Sequence, residues 1–299
     1  MGTGPGWLVG TLAAAAVAGA ARWAGALSRG GALAAAVVGG IIFGWGGAGG
    51  ALPLLFFFLT GTALSRWHKA RKAQRLEHSD AQGRRAGQVL ANGGVAALAV
   101  AGAALWPAPI WWAAFGGAIA AATADTWATE LGVLARRAVL ITTLAPAPIG
   151  RSGAVSAPGT AGGVAGAVLA AGVAAWAAAW DAPGRLLRPG GAARDPGPAL
   201  GQALAGTWAG TDPFLALAVP AAVGGIAGML LDSLLGATVQ ERFRCPVCQR
   251  ETEAPVHRCG TPTQRVGGWR GVNNDVVNFC ATLAGALVAA GMHRVLGGL

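Results

Sequence analysis

Long apolar segments recur along the whole chain, and they restrict its fold more than any other feature. They predict helices near residues 7–27, 30–46, 50–66, 87–106, 110–132, 159–181, 213–236 and 274–296. A helix needs about 20 mostly apolar residues to cross a bilayer, and these segments approach that length. Only 11% of the residues are charged, whereas soluble domains contain about 25%. The sequence therefore predicts an all-α fold: a single integral membrane domain over residues 1–299, built as a polytopic bundle of about eight transmembrane helices.

Glycine is abundant, with 50 residues, and it indicates how these helices pack. Small residues let helix backbones approach closely inside a membrane, so most glycines and alanines are interpreted as packing positions. Two glycine-rich joints, Gly39–Gly40 and Gly44 to Gly50, are expected to allow tight turns or kinks. The N-terminus lacks the basic region of a signal peptide, so we expect the first helix to be retained.

The basic residues predict the orientation of the bundle. With eight helices and the N-terminus outside, every second loop, beginning with the loop after the first helix, faces the cytoplasm. Of the 22 Lys and Arg residues, all fall in or beside those loops except Arg185, Arg188, Arg194 and Arg294. Because cytoplasmic loops carry an excess of basic residues, both termini are predicted outside and the site faces the cytoplasm, in a bacterial inner membrane. The net charge of +10 then indicates contact with anionic membrane lipids, and no nucleic-acid partner.

Two acidic residues, Asp125 and Glu130, lie in the helix predicted over 110–132. A carboxylate at the centre of a bilayer costs roughly 2.5 kcal/mol or more, so these acids indicate a bound cation or a charged partner. Glu130 lies about 140° from Asp125 around an unbroken helix, so both could bind one ion only if the helix breaks or ends there. The alternative is that Asp125 caps the helix or pairs with an arginine. Asp232 follows a similar glycine-containing stretch and is the third magnesium candidate.

The loop from Ile141 to Ser156 follows the acids and alternates glycine with hydroxyl residues. Backbone N–H groups in such a loop can form a nest for an anion, especially just before the N-terminus of a helix. The alternative is an ordinary irregular loop, since the Walker A pattern is absent. The nucleotide- and phosphate-binding candidates are polar residues or glycines of the predicted cytoplasmic end: Lys72, Arg84, Arg85, Asn92, Thr129, Thr142, Thr143, Arg151, Ser152, Gly153, Ser156, Asn274 and Asn278.

Three of the four cysteines form a C-x2-C-x8-H-x-C pattern with one histidine: Cys245, Cys248, His257 and Cys259. Two such pairs can supply the four ligands of a structural zinc. A cytoplasmic location keeps thiols reduced, which favours a metal over a disulfide. The sequence therefore predicts a small zinc-knuckle-like insert over residues 240–272, between the last two helices. Unligated loop cysteines are the alternative.

The histidines narrow the chemistry, because none of the four lies beside the central acids in the sequence. Serine-histidine hydrolysis and histidine acid-base catalysis are therefore disfavoured. Phosphoryl transfer has no such requirement, because a phosphate monoester is largely dianionic at neutral pH and can attack without a general base. Carboxylates for Mg2+, arginines, hydroxyls and a glycine loop are the groups that such a reaction needs.

Five ordered motifs, RRAGQVLANG, ADTWATELG, LITTL with GRSGAVS, LLDSLLGATVQ and NNDVVNF, carry a family resemblance. From about residue 21 to the C-terminus the chain resembles the polytopic membrane family that contains plant phytyl-phosphate kinase and transmembrane protein 19. That resemblance implies conversion of an isoprenoid phosphate to its diphosphate, with a nucleoside triphosphate (CTP likeliest) and Mg2+. It also implies that Asp125 and Glu130 form the acidic motif and that Ile141 to Ser156 form the glycine loop.

The chain departs from the family pattern at two positions. The family usually has a basic residue where this chain has Ala145, and it lacks the basic residue that this chain has at Arg151. A phosphate-binding cation has therefore moved from 145 to 151, or donor specificity or activity has changed. Two other functions remain open: nucleotidyl transfer to a lipid phosphate, and transport of an ion or solute, since intramembrane acids and broken helices also mark transport pathways.

Overall fold

A computed structural model describes residues 5–69, 72, 83–186 and 212–297. Within those ranges the helices are α1 (Pro5–Trp23), α2 (Arg29–Arg66), α3 (Ala86–Leu105), α4 (Pro109–Gly132), α5 (Ala157–Leu186), α6 (Pro213–Thr238) and α7 (Asn274–Gly297). In this part of the chain 5 helices, α2, α3, α5, α6 and α7, are long and apolar enough to cross a membrane. The protein is thus a polytopic helical membrane protein, while the count of eight spans stays a prediction.

Helix α2 consists of two arms that fold back on each other at Gly47, where φ is 57° and ψ is −146°. Gly31 on the first arm and Gly61 on the second both lie against Arg84. In one straight helix Gly31 and Gly61 would be about 45 Å apart, so the arms must run antiparallel. Glycine adopts a positive φ without steric cost, which explains why the turn falls within the predicted joint Gly44 to Gly50.

Helix α4 occupies the centre of the bundle and packs against α2, α3, α5, α6 and α7. Its residues 113–124 are buried without interruption, and they are Ala, Gly and a few larger side chains. The backbone carbonyl of Gly285 on α7 occupies the space where a Cβ on Gly117 of α4 or on Gly224 of α6 would lie. Glycine at both positions therefore lets three helix backbones meet closely, as membrane bundles require.

Two small antiparallel sheets interrupt the predicted all-α fold. The first lies between α4 and α5 and has the strand order β2-β1-β3. The second lies between α6 and α7, in the predicted insert, and has the order β5-β4-β6. The strands are β1 (Ala138–Leu140), β2 (Pro146–Ala147), β3 (Ala154–Val155), β4 (Arg242–Arg244), β5 (Glu251–Thr252) and β6 (Gln264–Gly267).

Both sheets and most polar candidates gather at one end of the bundle, which we call the site end. There Ser65 on α2 contacts Glu130 on α4, and Gly153 of the first sheet packs against Ala237 on α6. This gathering agrees with the predicted cytoplasmic side, although the side of the membrane stays a prediction. The predicted basic loop 67–86 and outer loop 182–212 lie largely outside the described residues; residues 182–186 belong to α5.

Candidate functional site

Two aspartates from different helices meet at the site end. The carboxyl groups of Asp125 on α4 and Asp232 on α6 lie side by side, within hydrogen-bonding reach of each other. Asn278 on α7 donates from its side-chain nitrogen to Asp232 Oδ2 at 2.9 Å and to the Asn274 carbonyl at 3.3 Å. We call Asp125 and Asp232 the acid pair. Three helices therefore deliver one polar side chain each to a single point.

Close packing one turn away explains how these helices bring their acids together. Gly228 precedes Asp232 by one turn on α6, and an added Cβ there would lie 2.6 Å from Ala121 of α4 and 2.6 Å from the Ala281 carbonyl of α7. A larger side chain at Gly228 would push both neighbours away. The acid pair thus depends on a glycine that contributes no polar group itself.

The acid pair fits a divalent cation. Two adjacent carboxyl groups cannot both ionise without large electrostatic cost unless a cation lies between them. Magnesium usually takes one or two protein carboxylates and keeps several waters. Asp125 and Asp232 meet that requirement, and Asn278 orients Asp232 in the way that neighbouring hydrogen bonds orient metal ligands.

Glu130 has a different set of partners. Its Oε2 lies 2.5 Å from Lys72 Nζ, and its Oε1 accepts a hydrogen bond of 2.6 Å from Ser65. Lys72 is 3% exposed and also donates to the Leu64 carbonyl at 2.6 Å. Since α4 runs unbroken through both acids to Gly132, Glu130 faces away from Asp125. Glu130 was predicted to bind metal and Lys72 to bind phosphate. In the structure the two form an ion pair with each other.

The predicted glycine loop, Ile141 to Ser156, begins with the turn after β1 and strand β2, and its last part, residues 150–156, docks on the end of α6. The name glycine loop is kept below for residues 150–156. Gly153 has φ 76° and lies directly against Ala237, five residues beyond Asp232 on α6. A side chain at 153 would meet both an unfavourable backbone conformation and the α6 backbone. At the other end of the loop, Ser156 Oγ accepts a hydrogen bond of 3.3 Å from the Gly159 backbone nitrogen in the first turn of α5. The loop is therefore fixed beside the acid pair and before a helix N-terminus.

The remaining hydroxyl candidates lie at the surface. Thr142 and Thr143 occupy the exposed turn between β1 and β2, where Thr143 Oγ1 accepts from the Ala145 backbone nitrogen at 3.4 Å. Thr129 is exposed one turn beyond Asp125 on α4. Ala145, the position of the missing basic residue, is thus on the same small sheet as Arg151.

The basic and amide candidates at the start of α3 have separate roles. The guanidinium of Arg84 lies 5.2 Å from the centre of the Phe57 ring and also contacts Gly61 beside Thr126, the neighbour of Asp125. The backbone nitrogen of Arg85 donates to the Gln88 side chain at 2.7 Å, which caps α3. Asn92 donates to the Gln88 carbonyl at 2.9 Å. Arg84 therefore lies beside α4, next to the position of Asp125.

The four predicted zinc ligands come together in the insert. One ligand atom from each of Cys245, Cys248, His257 and Cys259 lies within 4.8 Å of the others. His257 Nδ1 is 3.0 Å from Cys259 Sγ. Contacts with Thr261 and His257 lower the pKa of Cys259 to about 6, and a contact with Cys259 raises the pKa of Cys248 to about 11. Three thiols, one of them favoured as thiolate, and an imidazole match the four-ligand set of a structural zinc.

Two glutamates of the insert were missed by the sequence interpretation. Glu251 Oε2 lies 3.4 Å from Arg151 Nε, and Glu251 Oε1 lies 3.4 Å from Arg244 Nη2. Glu253 accepts a hydrogen bond from Ser152 Oγ. The available signal was the E-T-E spacing between the two ligand pairs, which places both carboxylates on one face of a strand.

Comparisons with known proteins agree with this architecture. A family model described as integral membrane protein DUF92 matches residues 12–286. The chain belongs to this family. A curated relative, Protein PGR of Arabidopsis thaliana, is 30% identical over 246 residues, which cover 77% of this chain and 76% of the relative. No solved structure matches the chain. Membership of the family confirms the resemblance carried by the five motifs, and the matched region contains the acid pair, the glycine loop and the insert.

Proposed function

We propose that this member of the DUF92 family is a membrane kinase that converts an isoprenoid monophosphate to the diphosphate. The lipid is of the phytyl or geranylgeranyl type, and the donor is a nucleoside triphosphate, CTP by resemblance, with Mg2+. The observation that carries the proposal is the acid pair at the end of a membrane bundle, with the glycine loop docked about one and a half turns away on α6. A carboxylate pair and an anion-binding loop are the two parts that metal-assisted phosphoryl transfer requires.

The reaction makes one bond and breaks one. An oxygen of the lipid phosphate attacks the γ-phosphorus of the triphosphate while the bond between that phosphorus and the β-phosphate oxygen breaks. The nucleoside diphosphate leaves with the electron pair, and the lipid diphosphate forms. The lipid phosphate is largely dianionic at neutral pH, so no base is needed. Of the histidines in the described residues, His68 lies just after α2 with its ring against Trp67, His257 belongs to the insert and His293 lies near the far end of α7.

Each part of the site has a proposed role. Asp125 and Asp232 hold Mg2+, which when bound supplies neutralisation of charge on the triphosphate. Backbone groups around Gly153, with Ser152 and Arg151, bind phosphate oxygens in a nest before α5. Arg84 lies beside α4 and is placed to meet a second phosphate. The isoprenoid tail stays in the bilayer, and the triphosphate enters from the cytoplasm of a bacterial cell.

The test uses purified full-length protein in lipid vesicles without an ion gradient. Each of the four triphosphates, labelled at the γ-phosphate, is incubated with phytyl or geranylgeranyl phosphate and Mg2+. We expect label in the lipid diphosphate and equimolar release of nucleoside diphosphate, both lost with EDTA. Transfer of an α-label to lipid with release of pyrophosphate would instead identify a nucleotidyltransferase. Absence of any lipid product, together with uptake of an ion or solute when a gradient is then imposed on the same vesicles, would identify a transporter.

We also propose that Cys245, Cys248, His257 and Cys259 bind one structural zinc. Elemental analysis of the pure protein should give one zinc per chain. Loss of a ligand should affect folding of the insert more than chemistry, because a structural zinc stabilises the folded state directly. A protein that stays free of zinc after supplementation would contradict this proposal.

A further inference from the structure

The insert and the glycine loop contact each other through one strand. Glu251 begins β5, and Glu253 comes directly after its last residue. Glu251 pairs with Arg151, and Glu253 accepts a hydrogen bond from Ser152. Two consecutive residues of the glycine loop therefore contact two glutamates, one in β5 and one directly after it.

The candidate metal ligands flank that strand in the sequence, with one pair before it and one pair after it. Cys248 precedes Glu251 by three residues, and His257 follows Glu253 by four. Strand β5 contains only 2 residues, and so short a pairing is marginal without further support. A four-ligand metal site supplies such support, since it fixes the chain on each side of the strand. We therefore expect the positions of Glu251 and Glu253 to depend on whether a metal ion is bound by the four ligands.

The loop segment that these glutamates contact also reaches the helix of Asp232. Gly153, the neighbour of Ser152, packs against Ala237 on α6. A displacement of β5 would therefore disturb the anchoring of Arg151 and Ser152 beside that helix. The insert is thus joined to the site rather than being a separate module.

We propose that the zinc-bound insert positions the glycine loop, with Glu251 and Glu253 as positioning residues that act through Arg151 and Ser152. Binding of zinc orders β5, and β5 fixes the loop beside the acid pair. The catalytic consequence rests on the proposed function, in which the glycine loop binds the triphosphate. The mechanical claim does not rest on it, and the two can be tested separately.

Hydrogen exchange in the full-length protein in detergent tests the mechanical claim. The reporters are the backbone amides of Arg151 and Ala154, which donate to the carbonyls of Pro148 at 3.3 Å and of Arg151 at 3.0 Å. Exchange is compared between zinc-loaded and chelator-treated protein. We expect zinc removal to speed exchange in residues 150–156 about tenfold, the size expected when a charge-assisted contact is lost.

Variants separate this coupling from general unfolding. In the double variant Glu251→Gln/Glu253→Gln with zinc bound, residues 150–156 should exchange as fast as in zinc-free wild type, while the ligand segment stays protected. Removing zinc from the variant should change the loop no further. The matched control is Glu241→Gln, because Glu241 contacts Arg265 at 3.8 Å and the Gly271 backbone nitrogen at 3.2 Å, both within the insert. This control should leave exchange in the glycine loop unchanged.

The outcomes discriminate between the claims. If zinc removal exposes residues 242–267 but leaves 150–156 protected, the coupling is wrong whatever the activity. If the double variant keeps a protected loop, Glu251 and Glu253 are not the connection and the proposal also fails. If exchange behaves as expected but no triphosphate and lipid phosphate react, the coupling holds and the proposed kinase function fails.

Discussion

Asp125 and Glu130 lie on the same helix at the same end of the bundle, and they have opposite kinds of partner. Asp125 faces another carboxyl group, that of Asp232. Glu130 faces the ammonium group of the buried Lys72 and the hydroxyl of Ser65. One carboxylate is thus neutralised within the protein, while the other requires a proton or a cation from outside.

The difference shows which acid the fold uses for structure and which it leaves for a ligand. A buried opposite-charge pair with further hydrogen bonds is satisfied by itself, and it ties the segment after α2 to the end of α4. A like-charge pair is unfavourable by itself, so it is the arrangement at which we expect a bound cation. Helix geometry alone puts the two acids on different faces of α4, which allows both arrangements on one helix.

The largest expected effect comes from neutralising one member of the acid pair. Asp125→Asn keeps the shape of the side chain but removes its charge, so turnover should fall by about a thousandfold or more. Thermal stability measured without Mg2+ should not decrease, because a repulsion is removed. Turnover and thermal unfolding, each with and without Mg2+, check this. Full activity in a well-folded Asp125→Asn protein would exclude Asp125 from the metal site.

Breaking the Lys72–Glu130 ion pair should lower stability and leave the Mg2+ dependence of turnover unchanged, which is the opposite of the effect expected at Asp125. Lys72→Met leaves the Glu130 carboxylate without its cation, which should lower the free energy of unfolding by about 3 kcal/mol. The double variant Lys72→Met/Glu130→Leu should recover part of that loss, because no unpaired charge remains. Denaturant or thermal unfolding measures the cycle, and the Mg2+ dependence of turnover should stay that of the wild type. Additive losses in the double variant would show that the pair does not couple.

A smaller effect should follow from removing the amide that orients the acid pair. Asn278→Ala deletes the donor to Asp232, so the Mg2+ concentration at half-maximal activity should rise about tenfold. Asn273→Ala is the matched control, since the Asn273 side chain accepts from the Val276 backbone nitrogen at 3.1 Å and caps α7. The control should cost about 1 kcal/mol of stability and leave the Mg2+ dependence unchanged. Equal Mg2+ dependence in both variants would argue against a role for Asn278.

The smallest effect is expected in the glycine loop. Arg151 shares its charge with Glu251, so Arg151→Ala should raise the KM for the triphosphate only about fivefold, with little change in kcat. Adding Ala145→Lys should restore part of the affinity, because relatives usually carry a basic residue there. Arg244→Ala is the control, since Arg244 contacts the same Glu251 but is more exposed. A KM change equal to that of Arg151→Ala would show that only the charge around Glu251 matters.

Much of the helical architecture followed from the sequence because helix formation and membrane insertion depend on local composition. The predicted helices 87–106, 110–132, 213–236 and 274–296 agree closely with α3, α4, α6 and α7. The small sheets were not predicted, since strands of two to four residues leave almost no periodic signal. Helix α4, which was predicted as a span, is buried at the centre of the bundle but is not among the five described helices long and apolar enough to cross a membrane.

The Cys/His cluster of the insert illustrates what local spacing determines. Cys245 and Cys248 form one pair and His257 and Cys259 the other, and the short chain between the pairs can bring them together without help from the rest of the fold. The sequence therefore identified all four members of the cluster, and zinc binding stays a prediction. It did not reveal that the strand between them reaches the glycine loop, because that contact joins segments about a hundred residues apart, and such non-local contacts depend on topology.

The acid pair is the part of the site that could not be predicted from the sequence alone. By itself the sequence determined that a membrane helix bundle with acidic residues and a small Cys/His insert would form. Hydrophobic length, helical period and the spacing of Cys and His are local features, each read from a few turns of chain. It left Glu130 and Asp232 as alternative partners of Asp125. Only the packing of α4, α6 and α7 through their glycines decided for Asp232, since the distance between side chains on separate helices depends on how closely those helices approach.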